Sequence, residues 1–472
     1  MRRPSPSLRP EDGPPSDGPP AGGLSGAGAP GPARGSDTQL RRSVVLNVAG
    51  QVVSMLVGFA PSILVARWLG PTDRGLYAII GTSSGIAFVL ASVGLPMAVW
   101  YFASSAESPV AQLFGNTLAW AAGLGVVFVP LAWVLNGDLG AWLAHGHRGF
   151  VWVLAAILVP VTFLDWTMHN QLLGDLRFGL YNALVVGQKV VFFVGVVLLL
   201  WVVDLRVSGV LIATIAGSAL VIVGSLRGCL AKGRPRFDAG LLGRMLRYGS
   251  RTQLGGVFQY FNSRFDVLIL QFFRPLSVVG YYVVAEILAE LVMLITRAFQ
   301  SSVMSLVTRD ADNAADQAET TAVSLRHHAL LSLVALVGNA VFSPLLILFA
   351  YGQPFHRALL PFFVILPGIW FLGAGLVIAN DLNARGRPGL ASALSGLGVC
   401  ITIVLDLALI PPFGATGAAL GSLVAYIVFG VVSLVVESVV AAIPLRSLFP
   451  RREDVRLYAA AVRTLARRMR RA

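Results

Sequence analysis

The feature that most constrains this chain is the recurrence of apolar runs about 20 residues long between Val44 and Val436. A helix of that length crosses the hydrocarbon core of a bilayer. It also satisfies every backbone polar group within the segment, as lipid requires. Twelve runs are read, at 43–65, 76–100, 110–135, 149–169, 179–203, 207–229, 250–273, 279–305, 327–350, 358–380, 389–410 and 415–437. Only 12% of the 472 residues are charged and the mean hydropathy is +0.75. An ordinary globular domain carries about 25% charge. The fold class is therefore all-α, a polytopic membrane protein.

Residues 1–40 are Pro/Gly/Ser-rich with nothing to bury, so disorder is expected. They lack the apolar core and cleavage pattern of a signal peptide. Between the first two runs lies "ARWLGPTDRGLY", residues Ala66 to Tyr77. We read Arg67 to Gly75 as a turn at the membrane surface, with Gly70-Pro71 stopping one helix and Gly75 starting the next. Cys229 and Cys400 fit neither a disulfide framework nor a metal site.

The basic residues are 34 arginines and two lysines. With the Ala, Gly and Val richness, this suggests a GC-rich bacterial genome. Placing both termini in the cytoplasm puts 27 basic residues inside and six outside, with Lys189, Arg264 and Arg297 within spans. The net charge of +13 is thus topological, and nucleic-acid binding is not expected. In the tail, Tyr458, Val462, Leu465 and Met469 share one helical stripe opposite Arg456, Arg463, Arg467 and Arg470. Such a helix suits the anionic inner leaflet; a solvated basic tail is the alternative.

The chain also repeats. At an offset of 205, "ARWLGPTDRGLYAII" lies over "QFFRPLSVVGYYVVA", with Gly75 on Gly280 and Tyr77 on Tyr282. At an offset of 208, "VSGVLIATIAG" lies over "ATGAALGSLVA", with Gly209 on Gly417. This divides the chain into a tail (1–40), a six-helix lobe (41–229), a basic cytoplasmic connection (230–249), a second six-helix lobe (250–437) and a basic tail (438–472). Parallel lobes of six helices are related by an axis along the membrane normal, with a central cavity between them.

Polar groups within spans are costly and face the interior or water. Asn47, Gln51, Ser54 and Gly58 share one face of the first helix, and Gln259, Asn262 and Asp266 share one face of the seventh. Ordinary helix–helix hydrogen bonding is the competing account. Glu286, Glu290 and Arg297 fall in one sector of the eighth helix, with a structural ion pair to a neighbouring helix as the competing account, and Lys189 follows Asn182 by seven residues on the fifth. If Lys189, Arg264 and Arg297 converge, they form a cationic pocket for an anion such as phosphate. Each of them can instead neutralise Asp165, Asp266 or Asp406. Asp266, Glu286 and Glu290 are candidates to bind a coupling cation, H+ or Na+; no other cofactor or metal is expected.

No catalytic constellation is legible. "RDADNAAD" (Arg309 to Asp316) holds Asp-x-Asp, but in a short Ala-rich connection that reads as a solvated loop. "RHH" (Arg326 to His328) has no companion at ligand spacing. There is no Walker motif. A carrier, not an enzyme, is expected.

"RWLGPTDRGLYAII" resembles the R-hydrophobic-LGP-x-x-x-G-x-Y turn of polysaccharide-type flippases. "SRFDVLILQFF…VGYYVVAEILAEL" is similar to their seventh and eighth helices. "YGQPFHRALLPFFVILPG" and the segment from Leu382 to Tyr426 resemble their C-terminal half. The family is the multidrug/oligosaccharidyl-lipid/polysaccharide exporter superfamily, and the likeness covers about residues 41 to 437. It implies two six-helix lobes and a cationic central cavity. It also implies cation-coupled alternating access that flips a polyprenyl-pyrophosphate-linked oligosaccharide across the bacterial inner membrane. Membrane lipids, a polysaccharide polymerase and glycosyltransferases would be its partners. Substrate binding would fall to Lys189, Arg264, Arg297, Asn47, Gln51, Gln259 and Asn262, on position and charge alone. A multidrug or small-cation exporter, a peptidoglycan-precursor flippase and a membrane-embedded glycan polymerase are the other readings.

Overall fold

The computed structural model describes residues 34–105, 109–135, 149–231, 233–309, 314–454, 456 and 458, with side chains from residue 61 onward except 135, 301–302, 304–309 and 314–316. Two compact units emerge, Met1–Val53 and Ser54–Ala472. Of the first, only a helical stretch from Arg34 is described; the packing below belongs to the second. Among the described residues there are thirteen α-helices and no strand. They are α1 (Arg34–Ser92), α2 (Leu95–Ser104), α3 (Val110–Leu135), α4 (Phe150–Gly174), α5 (Phe178–Val197), α6 (Arg206–Leu230) and α7 (Ala239–Phe273). There follow α8 (Leu276–Ala289), α9 (Met293–Arg309), α10 (Ala314–Leu345), α11 (Leu359–Ala384), α12 (Pro388–Phe413) and α13 (Ala415–Val440).

All twelve expected runs lie on these helices, and ten described segments are long and apolar enough to cross a membrane. The chain is a multi-pass membrane protein. Its outer surface agrees: Trp133, Trp201, Val334 and Phe349 are each at least 70% exposed. In water such apolar surface would be costly, whereas lipid accepts it.

The turn after the first run is tighter than the sequence suggests. Only Gly70 leaves the helical region (φ 68, ψ 177), and the helix resumes at Pro71, where a missing N–H costs nothing. Gly75 therefore lies inside a helix, and Asp73 and Arg74, read as loop residues, are buried. The second run is broken at Val93–Gly94, both at positive φ, where Gly94 backs directly onto the Gly249 carbonyl of α7. The eighth run is broken at Glu290–Val292 by one tightly wound turn. That winding turns each residue roughly 20° further than an α-helix does. Arg297 is thereby rotated off the sector of Glu286 and lies exposed.

Helices α2 to α6 pack largely on one another, as do α8 to α13. α7 joins both groups. Its first residues were expected within a connection, but Asp238 caps the helix by accepting from the Leu241 N–H at 2.9 Å, and Leu241 and Met245 are buried. This end is held by α3: Asn116 donates to the Asp238 carbonyl at 3.0 Å and accepts from the Asp238 N–H at 2.9 Å. The far end packs on α12, where Thr402 donates to Asn262 at 3.3 Å.

The internal repeat is visible in the backbone. At the end of α4, the Arg177 N–H bonds to Leu172 O and the Leu176 N–H to Leu173 O. At the end of α11, the Arg387 N–H bonds to Leu382 O and the Gly386 N–H to Asn383 O. Both are Schellman closures with a left-handed residue, Leu176 (φ 57) or Gly386 (φ 71), 210 positions apart. The repeat also meets itself. A methyl group on Gly75 would strike the Leu276 carbonyl, and one on Gly280 would strike the Pro71 carbonyl. Each would also lie 3.1 Å from the other glycine's nitrogen. Pro71 and Leu276, like Gly75 and Gly280, are 205 apart, so the contact is mutual, as across a two-fold axis.

Candidate functional site: a charged cluster on α1, α7 and α8

A cluster of charge, partly buried, gathers where α7 meets α8. Arg264 Nη1 lies 2.8 Å from Glu286 Oε2, at an angle that does not make a well-directed hydrogen bond, and Arg264 Nη2 lies 3.5 Å from Glu290 Oε2. Glu286 is 2% exposed, whereas the Arg264 and Glu290 side chains keep 27% and 29%. The cluster is thus sealed at Glu286 and open on its Arg264–Glu290 side. Burying a carboxylate costs several kcal/mol unless a cation compensates it, and Arg264 supplies that compensation.

Two residues further along α7, Asp266 points into the packing with α8 and α13. It accepts from the Tyr282 hydroxyl and, at 2.7 Å, from the Val267 N–H; the Ser422 hydroxyl is 3.5 Å away. Asp406 on α12 is fully buried, and neither carboxylate oxygen has a partner. It packs so closely on α13 that a methyl group on Gly421 would meet it. Buried polar groups are almost always paired, so a carboxylate with two empty oxygens calls for a proton or a cation.

On the α1 side, Arg74 is 5% exposed, lies 5.2 Å over the Tyr77 ring and has no acceptor for its Nε. Tyr260 of α7 occupies the space that a side chain on Gly85 would fill, which brings α7 against α1.

The sequence-predicted site residues divide accordingly. Arg264, Glu286 and Glu290 are brought together, with Asp266 two positions from Arg264 on the same helix. Asn262 is buried against Thr402, and Gln259 is half-buried. Lys189 is half-buried on α5, a helix packed on α6 and α4, and Arg297 is exposed on α9. The side chains of Asn47, Gln51, Ser54 and Gly58 lie outside the described residues. So do residues 310–313 of the Asp-x-Asp stretch and most of the basic tail.

Sequence reasoning missed Arg74 as a buried cation, because a Gly-Pro turn seemed to place it outside. It named Asp406 only as a partner, although an ionisable residue in an apolar run is itself a signal. It also missed the purpose of the "RHH" motif. Arg326 lies 3.3 Å from Asp454, His327 bonds to Tyr458 at 3.0 Å and His328 to Thr296 at 3.0 Å, so the motif fastens α10 to the tail and to α9.

Comparison with known proteins agrees with this architecture. The chain is 25% identical over 370 residues to a probable low-salt glycan biosynthesis flippase, Agl15, of Haloferax volcanii, covering 77% of this chain and 76% of that one. Its fold is similar to the inward closed conformation of the lipid II flippase MurJ, with a TM-score of 0.70 at 14% identity over 86% of this chain and 89% of that one. It is also similar to an inward-facing multidrug resistance transporter of the MATE family, with a TM-score of 0.68 at 12% identity over 82% and 94%. The model of a family described as polysaccharide biosynthesis protein matches residues 64–360, which run from within α1 to the first residues of α11 and contain the whole Arg264–Glu286–Glu290 cluster. On that match, the chain belongs to the polysaccharide biosynthesis protein family.

Proposed function

We propose that this protein flips a polyprenyl-pyrophosphate-linked oligosaccharide, the repeat unit of a polysaccharide, across the bacterial inner membrane by cation-coupled alternating access. Both termini are cytoplasmic in this reading, and the Gly70 end of the molecule faces outward. One observation carries it: the mutual contact of Gly75 and Gly280. At the outward end the two halves approach backbone to backbone, within one buried apolar cluster that includes Leu76, Ile79 and Ile80 of the first half and Leu276, Val279 and Tyr282 of the second. Small residues at the centre of this seam let the halves approach closely, and a pseudo-two-fold pair of halves can rock about it. The flippase relative and the family support the substrate class.

The charge cluster suggests how cargo and cation are linked. Arg264 is shared by two carboxylates. A pyrophosphate arriving on the open side competes for its guanidinium fork. Glu286 or Glu290, once released, then needs a proton or Na+, so anion and cation favour each other's binding. In this reading Lys189, Arg297, Gln259 and Asn262 serve the rest of the anion path. Asp266 and Asp406 form a deeper cation-binding pair. Glycosyltransferases on the cytoplasmic side would supply the substrate and a polymerase would consume it.

A small-cation exporter is the second reading. It is favoured by the excess of acid, since Asp266, Glu286, Glu290 and Asp406 oppose two arginines, the buried Arg74 and the partly exposed Arg264. The two readings part in one experiment. In a deletion strain, lipid-linked glycan is expected to accumulate, and Lys189→Ala, Arg264→Ala or Arg297→Ala should restore export at least tenfold less well than wild type. Full restoration by all three variants refutes the anion path. Drug sensitivity without glycan accumulation selects the exporter.

A further inference from the structure

The two halves differ at one matched position. Near the Gly70 end of the first half, Asp73 Oδ2 lies 3.1 Å from Arg206 Nη1 at the start of α6. The offset of 205 carries Asp73 to Val278, and the offset of 208 carries Arg206 to Gly414. Arg206 (φ 45), the first residue of α6, and Gly414 (φ 59), just ahead of α13, both sit at positive φ. Where the first half holds an ion pair, the second half has a cavity of about 410 Å³ lined by Val278 and Gly414.

Two arginines turn into that cavity, Arg274 and Arg357, together with Tyr281 and Thr416. No carboxylate lines it. Arg274 donates through Nη2 to the carbonyls of Pro411 at 2.5 Å and Pro412 at 3.1 Å, which fixes its guanidinium beside Gly414. Its Nε is buried with no acceptor. The rim is apolar and open: Leu360 is 61% exposed and Phe413 58%.

We infer that this cavity binds the phosphate headgroup of a lipid, held between Arg274 and Arg357 with its chain along Leu360 and Phe413. Guanidinium forks match phosphate oxygens, and the first turn of α13 adds favourable N–H groups. The Asp73 carboxylate that would otherwise claim such an arginine has been replaced by Val278. Two sources share this chemistry, a prenyl phosphate and an anionic phospholipid. The inference concerns equilibrium binding and stands apart from the transport reading.

The test uses the purified full chain in detergent and native mass spectrometry. The probes are farnesyl phosphate, farnesol, phosphatidylglycerol and inorganic phosphate. Farnesyl phosphate or phosphatidylglycerol should be retained at least tenfold over farnesol. Retention should fall to the farnesol level in Arg274→Gln with Arg357→Gln, and in Val278→Asp with Gly414→Arg, which rebuilds the ion pair of the first half. Loss for farnesyl phosphate alone assigns the site to a prenyl carrier, and loss for phosphatidylglycerol to bulk lipid. Unchanged retention in the variants overturns the site, as does inorganic phosphate binding as tightly as either lipid. Arg357→Gln alone, at an exposed side chain, keeps the test decisive if a double variant fails to fold.

Discussion

Arg264 decides the electrostatics of the cluster, because it is the described cation in contact with both Glu286 and Glu290. Removing one partner of a buried pair leaves the other charge uncompensated, at about 3–5 kcal/mol. Arg264→Gln should therefore lower the thermal midpoint in detergent markedly. Arg264→Gln combined with Glu286→Gln should recover most of the loss, since both buried charges are then gone. A double variant no more stable than Arg264→Gln would show that the pair contributes through shape alone. At this scale the sequence was half legible. Each of Arg264, Asp266, Glu286 and Glu290 stands out as an ionisable residue in an apolar run. Their pairing was not legible, because Arg264 on α7 and Glu286 on α8 meet only through tertiary packing. Arg297 shows the converse: helical periodicity put it in the sector of Glu286, and three tightly wound residues took it away.

Among elements, the paired turns after α4 and α11 are the most informative. Leu176 and Gly386 occupy the same left-handed position. A side chain there costs about 1–2 kcal/mol, which glycine avoids. Leu176→Gly should raise stability by about 1 kcal/mol and Gly386→Ala should lower it by a similar amount, both read as thermal midpoints. A destabilised Leu176→Gly would mean that the exposed leucine packs on lipid strongly enough to outweigh its backbone strain. Helix existence was legible throughout, since apolar runs of this length have one outcome in a bilayer. Helix ends were less so. The Arg-rich start of α7 looks like a loop by composition and is a helix because Asp238 caps it and α3 holds it. The break at Gly94 does carry a local signal, Pro96 in the first turn of α2, and the close approach of Gly249 takes the space that a side chain at Gly94 would need.

For the whole molecule, the Gly75–Gly280 seam sets how the halves meet. A methyl group on either glycine collides with a carbonyl of the opposite half. Gly75→Ala or Gly280→Ala should hold that end apart and reduce glycan export at least tenfold, with the protein still present in the membrane. Gly81→Ala is the control, because nothing lies within 4 Å of a methyl group there. Equal export by all three variants would remove the seam from the mechanism. The repeat that predicts this contact is legible as an offset of 205; that its two copies touch is a fact of three dimensions.

The position of α7 has a consequence for how the molecule is made. Its first turns complete the surfaces of α2 and α3, yet they are synthesised after α6. As the chain leaves the ribosome, the earlier helices wait with an uncovered flank until residues 238–249 emerge. Only then does the leading half acquire its final wall, and the strand of chain that closes it is already committed to the trailing half.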